Sequence, residues 1–234
     1  MFPLRDNVRT RSIPLITWGL IALNTLIFVY EASLSSRSFN QLAFTYGLVP
    51  ARLSLAHWPS YATLITSAFL HGGWFHVITN MWVLFVFGDD VEDRMGHGRF
   101  LLFYLLSAVA AGVMQAALAP ASNVPTIGAS GAIAGVLGAF FVLFPGARVE
   151  TLILLVFIPF FLEIPAFVFL GLWFLSQLSS GLLGLGASGD FSGIAWWAHI
   201  GGFLFGFLMA RAFLRRQPHA YDVLIPGGNP PLGF

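Results

Sequence analysis

Apolar stretches near membrane-spanning length recur along this chain, separated by short polar breaks. About 20 consecutive apolar residues suffice to cross a bilayer as a helix. The pattern predicts six spans: Ile13 to Ala32, about Trp74 to Gly88, about Phe100 to Ala119, Ser130 to Phe144, about Thr151 to Leu175, and about Ile194 to Phe213. The breaks carry charge, glycine or proline, as in "GDDVEDRMGHGR" after the second run and "PASNVPT" after the third. The segment from Ser33 to about Gly73 is too polar to span and too apolar for a free linker, so it is expected to lie partly in the membrane interface. The predicted fold class is an all-α polytopic membrane protein of six helices with an interfacial first loop. One membrane domain is expected over residues 13–213, after a cytoplasmic N-terminus (1–12) and before a polar, disordered cytoplasmic tail (214–234).

Composition sharpens this picture. Of 234 residues, 57% are hydrophobic and 9% charged, against about 25% charged in soluble domains. The absence of cysteine removes disulfides, thiol nucleophiles and thiolate metal sites. All eleven basic residues are arginine and form no extended patch, which argues against nucleic acid as a partner. Arg5, Arg9, Arg11, Arg94, Arg99, Arg148, Arg211, Arg215 and Arg216 fall on one side of a six-span topology; only Arg37 and Arg52 fall on the other. The positive-inside rule then puts both termini in the cytoplasm. The first run is long for a signal peptide and lacks a clear A-x-A site, so it reads as a retained span.

Polar groups at membrane depth are costly and point to function. The fourth run is 15 residues, about 22 Å of helix against a hydrocarbon core of about 30 Å. Its first residue, Ser130, therefore lies below the outer surface, and the non-helical backbone before it must line a wet cavity or be buried in protein. A helix N-terminus there favours a developing anion. The sixth run places His199 at similar depth, and Gly202 and Gly206 form G-x-x-x-G, which allows close approach to a small face at Gly131, Ala134, Gly135 and Gly138. Packing of these faces would bring Ser130 to His199, a nucleophile and its base. His76 and Asn80, at i and i+4 near the outer end of the second run, are suited to hold an oxyanion with the Ser130 N–H. No carboxylate is well placed to orient the histidine, Asp190 being in a loop and Glu163 in the fifth run, so a dyad is expected.

"HGGWFHVITN", "VEDRMG", "GASGA" and "AHIGGFLFG", in this order, resemble the rhomboid intramembrane serine proteases over roughly residues 70 to 212. The resemblance implies Ser130 as nucleophile, His199 as general base, and His76 and Asn80 in the oxyanion hole. It implies structural roles for His71, Glu92, Arg94, Gly128, Gly131, Gly202 and Gly206. Single-span membrane proteins would be the substrates, the bilayer the setting, and a prokaryotic cytoplasmic membrane the location, with the site opening to the outer face. No cofactor or metal is implied, and oligomeric state is not legible. The fifth span and the loop after it would form a lateral gate and cap, with Phe157, Phe160, Phe161, Phe167 and Phe169 facing lipid and Gly181, Gly184, Gly186 and Gly189 loosening the loop. Ala134 stands where some members place an aromatic that stacks on the histidine, so the histidine is held by another aromatic or less tightly.

Rivals fit the residues worse. A zinc protease would show H-E-x-x-H, which His71 and His76 do not form. An aspartyl protease needs two aspartates at membrane depth, and a Ser–Lys pair needs a lysine. A catalytically silent rhomboid-like binder of membrane proteins is the alternative, although such relatives lack the serine or the histidine. A transporter would show repeats, and its main support here is Glu163 between Pro159 and Pro165.

Overall fold

The structure is a computed structural model, and it describes residues 1–53, 58–155, 158–185 and 195–215. In chain order the elements are strand β1 (Phe2–Asp6) and helices α1 (Leu15–Ala32), α2 (Ser36–Tyr46), α3 (Thr63–Thr66), α4 (Trp74–Met95), α5 (His97–Leu118) and α6 (Ser130–Leu143). Strands β2 (Arg148–Leu155) and β3 (Ile158–Pro165) and helices α7 (Ala166–Leu185) and α8 (Trp196–Met209) follow. The six expected spans correspond to α1, α4, α5, α6, α7 and α8. By length and composition α1, α5 and Ala166–Gly184 can each cross a membrane, and the stretch Pro59–Phe69 joins α4 at a bend of 83°.

The position of each helix follows from its side chains. α6 is apolar all round and rich in small residues, the signature of a fully buried helix; every residue from Gly131 to Phe140 is buried. α4, α5, α7 and α8 surround it. α1 buries Thr17, Leu20, Asn24, Phe28 and Glu31, a stripe at helical spacing, and exposes the apolar Leu23, Leu26 and Tyr30 outward. Phe87 and Phe140 pack edge to face at 4.9 Å between α4 and α6.

Glycine sets the closest contact. A Cβ on Gly202 would collide with the carbonyl oxygen of Gly131, and one on Gly206 with that of Gly135. α6 and α8 therefore pack backbone against backbone, as the small faces predict.

Three boundaries depart from the sequence reading. The second span does not stop at Gly88: α4 runs on to Met95, where Glu92 and Asp93 find hydrogen-bond partners, and ends at Gly96, whose φ of 81° favours glycine. The fifth span does not begin at Thr151. Residues 148–155 and 158–165 pair antiparallel, Arg148 opposite Pro165 and Leu152 opposite Phe161, joined by β1 in the order β1-β2-β3. A short apolar run fits a strand as well as a helix, and Pro165 favours extended backbone before the helix that starts at Ala166. Consequently Phe160 and Phe161 lie on β3, and only Phe167 (exposed) and Phe169 (buried) belong to α7. Glu163 also lies on β3, opposite Glu150, rather than inside a span. Finally, Gly181 and Gly184 are in α7 itself, not in the loop after it. Phe157, Gly186, Gly189, Asp190 and the tail beyond Arg215 lie outside the described residues.

Candidate active site

α4, α6 and α8 all begin at one end of the bundle, and their first turns meet. The path to α6 is fixed from several sides. Leu48 and Thr126 exchange backbone hydrogen bonds of 3.0 and 2.7 Å, so the first loop braces the segment before Ser130. Gly128 N–H donates to the Ser67 carbonyl at 2.9 Å. His71, fully buried, donates its N–H to Glu31 Oε2 at 3.1 Å, and its Nε2 accepts from the Ala129 N–H at 3.5 Å. The structural place expected of His71 is thus a link from the end of α1 to the residue before the serine.

Ser130 is the first residue of α6, so its own N–H has no acceptor within the helix. Its Oγ lies 2.8 Å from His199 Nε2. His199 Nδ1 lies 2.7 Å from Gln177 Oε1 on α7. The rings of Trp173 and Trp196 stand 6.0 and 6.2 Å from the imidazole. Ala134 carries no ring, and these two tryptophans are aromatics packed near the imidazole.

Opposite the serine lie His76 and Asn80. Gly72 N–H approaches His76 Nδ1 at 3.4 Å, which leaves the ring proton on Nε2. Asn80 Nδ2 is buried and has no hydrogen-bond partner among the described residues. Both groups face Gly128: a Cβ there would come within 2.6 Å of His76 Nε2 and 3.7 Å of Asn80 Nδ2. Gly128 has φ of 126°, where glycine is strongly favoured. The pocket thus gathers a hydroxyl with a base on one side and two side-chain N–H donors on the other. That arrangement can transfer an acyl group and stabilise the anion it creates.

Glu92 and Arg94 lie at the other end. Glu92 is fully buried and accepts from Ile16 N (2.9 Å), Thr17 N (2.8 Å), Thr17 Oγ1 (2.7 Å) and the ring of His97 (2.5 Å). It caps the N-terminus of α1 from another helix. Arg94 lies over the Phe144 ring at 5.6 Å. Among the described residues no group of three or more His, Asp or Glu is gathered to hold a metal ion.

Sequence reasoning missed Gln177, Trp173 and Glu31. Trp173 and Gln177 are spaced i and i+4, one turn apart on a single face, and that spacing was the available signal.

Fold and site together define a helical membrane bundle with a serine–histidine pair at the mouth of a buried helix. The Rhomboid domain family model matches residues 59–216, and the chain belongs to the rhomboid family. It is 33% identical over 153 residues to "Rhomboid protein 1, mitochondrial" of Saccharomyces cerevisiae, covering 64% of this chain and 41% of that protein. It is 32% identical over 126 residues to "Rhomboid protease GluP" of Bacillus subtilis, covering 54% and 24%. It is 29% identical over 160 residues to the human "Presenilin-associated rhomboid-like protein, mitochondrial", covering 68% and 38%. The chain thus spans less than half the length of these relatives. The family and the apolar helices make it an integral membrane protein, and the likeness extends to proteins named as mitochondrial and to a bacterial one. Rhomboids are in general intramembrane serine proteases, which is the activity the family suggests here.

Proposed function

We propose that this protein is an intramembrane serine endopeptidase that cleaves single-span membrane proteins with a Ser130–His199 dyad. The observation that carries the proposal is the 2.8 Å approach of His199 Nε2 to Ser130 Oγ at the start of a short, buried helix. His199 takes the hydroxyl proton as Ser130 Oγ attacks the scissile carbonyl carbon. The Ser130 N–H, His76 Nε2–H and Asn80 Nδ2 hold the oxyanion. The protonated histidine then gives its proton to the leaving amine, and water hydrolyses the ester. Acylation needs a helix of the substrate to unwind locally, since a hydrogen-bonded helical carbonyl is shielded from attack. The arginine bias supports a topology with both termini in the cytoplasm and the mouth of α6 facing outward.

The test is a fluorophosphonate probe and a single-span substrate in liposomes, comparing wild type with Ser130→Ala and His199→Ala. Labelling and cleavage by wild type alone is the expected result. A folded wild type that neither labels nor cleaves points to a silent binder of membrane segments, and labelling that survives Ser130→Ala means another nucleophile.

A further inference from the structure

Gln177 is placed to settle which nitrogen of His199 carries the proton. Its Oε1 cannot donate, so the contact with His199 Nδ1 at 2.7 Å requires Nδ1–H. Nε2 then keeps its lone pair toward Ser130 Oγ, the state a general base needs. The amide's own orientation is fixed in turn. Gln177 Nε2 donates to Ser176 Oγ at 3.1 Å, and the Ser176 hydroxyl donates to the Trp173 carbonyl at 2.6 Å. With the Ser176 hydroxyl committed to the Trp173 carbonyl, its oxygen is free to accept, which favours the Gln177 Nε2 on that side and Oε1 toward His199. Gln177 is 7% exposed, so water does not compete freely for the contact.

We propose that Gln177 is a positioning residue for the base: it fixes the His199 tautomer and ring angle and accepts from the imidazolium that forms during acylation. The inference rests on the protease reading. The amide does the orienting work of the carboxylate in three-residue serine hydrolase sites, without a full charge at membrane depth, where a carboxylate is costly. It also makes the base depend on helix placement. His199 is on α8 and Gln177 on α7, so a displacement of α7 by about 1 Å stretches the bond beyond hydrogen-bond range. α7 buries Ala166, Phe169, Leu170, Gln177 and Gly181 on one side and exposes Phe167, Leu172, Leu175 and Leu182 on the other. A substrate that displaces α7 near Gln177 therefore also loosens the base, and efficient acylation requires the Gln177–His199 contact to re-form.

The experiment compares wild type, Gln177→Leu and Gln177→Glu in kcat, KM, pH profile and thermal stability, with the imidazole ¹⁵N spectrum of His199 as a readout independent of activity. Gln177→Leu is expected to lower kcat by about 10- to 100-fold, the scale for losing a partner that orients a metal-bound histidine, with little change in KM and a mixed tautomer in the spectrum. Gln177→Glu is expected to restore kcat and to move the acidic limb of the pH profile upward, because a carboxylate favours the protonated ring. A Gln177→Leu variant with wild-type kcat, or with the Nδ1–H tautomer intact, overturns the proposal. Should Gln177→Leu fail to fold, an unchanged pH profile in Gln177→Glu overturns it. A wild type that does not cleave would instead sink the protease reading, and the tautomer spectrum alone would then decide whether Gln177 orients the ring.

Discussion

The two ends of the bundle bury polar groups in opposite ways. At the end far from the serine, Glu92 is fully buried and accepts four hydrogen bonds, from α1 and from His97. Asp93 beside it accepts from the N–H of Ser12 at 3.0 Å, the N–H of Arg11 and the Ser12 hydroxyl. At the serine end, Asn80 Nδ2 is buried with no partner among the described residues, and the hydroxyl of Ser130 meets a base rather than a structural acceptor. A buried polar group left unsatisfied costs about 1–3 kcal/mol. The satisfied Glu92 and Asp93 hold the fold at one end, although Asp89 Oδ1 beside them has no partner among the described residues, while the open donor at the other is a cost that an arriving oxyanion would offset.

The sharpest way to break that contrast is to remove Glu92. Glu92→Ala strands the N–H groups of Ile16 and Thr17 and the Thr17 hydroxyl in a dry site. A loss of about 3–5 kcal/mol in stability is expected from these unpaired donors together, read as a fall in melting temperature in detergent. Activity per folded molecule should hold. An equal loss of activity in molecules that remain folded would mean that Glu92 communicates with the distant site.

Asn80→Ala is the converse. It removes a donor that has no partner among the described residues, so stability should change by less than about 1 kcal/mol or rise slightly. Cleavage should slow about 10²- to 10³-fold, mostly in kcat, as for loss of one oxyanion donor. If stability fell and kcat did not, Asn80 would belong with Glu92 as a structural residue.

Much of the serine end was legible in the sequence because small and polar residues at helical spacing have few other reasons to be there. Ser130, His199, His76 and Asn80 come together as the spacing predicts, and Gly202 and Gly206 meet the backbone of α6. The contact with Gln177 was not legible, since it depends on how α7 tilts against α8, and no local pattern encodes a crossing angle. The β2–β3 pairing was not legible either. "TLILLVFIPFFLEIP" is apolar at nearly every position, so neither a period of two nor one of 3.6 emerges. Its first strand pairs with β1, 145 residues away in sequence at Arg5 and Glu150, and β1 in turn docks Phe2 on Trp82.

Gly128→Ala probes the boundary of the serine end. The added Cβ meets His76 Nε2, and φ of 126° is unfavourable for alanine. A backbone strain of about 1–3 kcal/mol is expected, together with loss of cleavage because the methyl occupies the space between the two donors. Fluorophosphonate labelling, which needs the same space, should fall in parallel. Labelling at the wild-type rate would place the oxyanion elsewhere.

The smallest effect sharpens the contrast at the opposite end, where not every acid is satisfied as Glu92 and Asp93 are: Asp89 Oδ1 has no partner among the described residues, and a second acid has its carboxyl pKa pushed up by burial. Asp6, on β1 outside the spans, accepts from Val8 N–H at 2.8 Å, but burial pushes its carboxyl up from 3.8 to about 6, and Asp90 lies against it. A carboxyl held above its unfolded value makes the ionised fold less stable. The penalty is complete above about pH 6, fades as pH falls, and is gone below 3.8. Asp6→Asn keeps an oxygen for Val8 and removes the charge, so it should stabilise the protein at about pH 7.5 by about 1 kcal/mol, allowing for partial solvent exposure. Melting temperatures of the two proteins should converge near pH 4. A gain that stays constant across that range would mean that the asparagine improves packing, and that Asp6 is as well satisfied as Glu92.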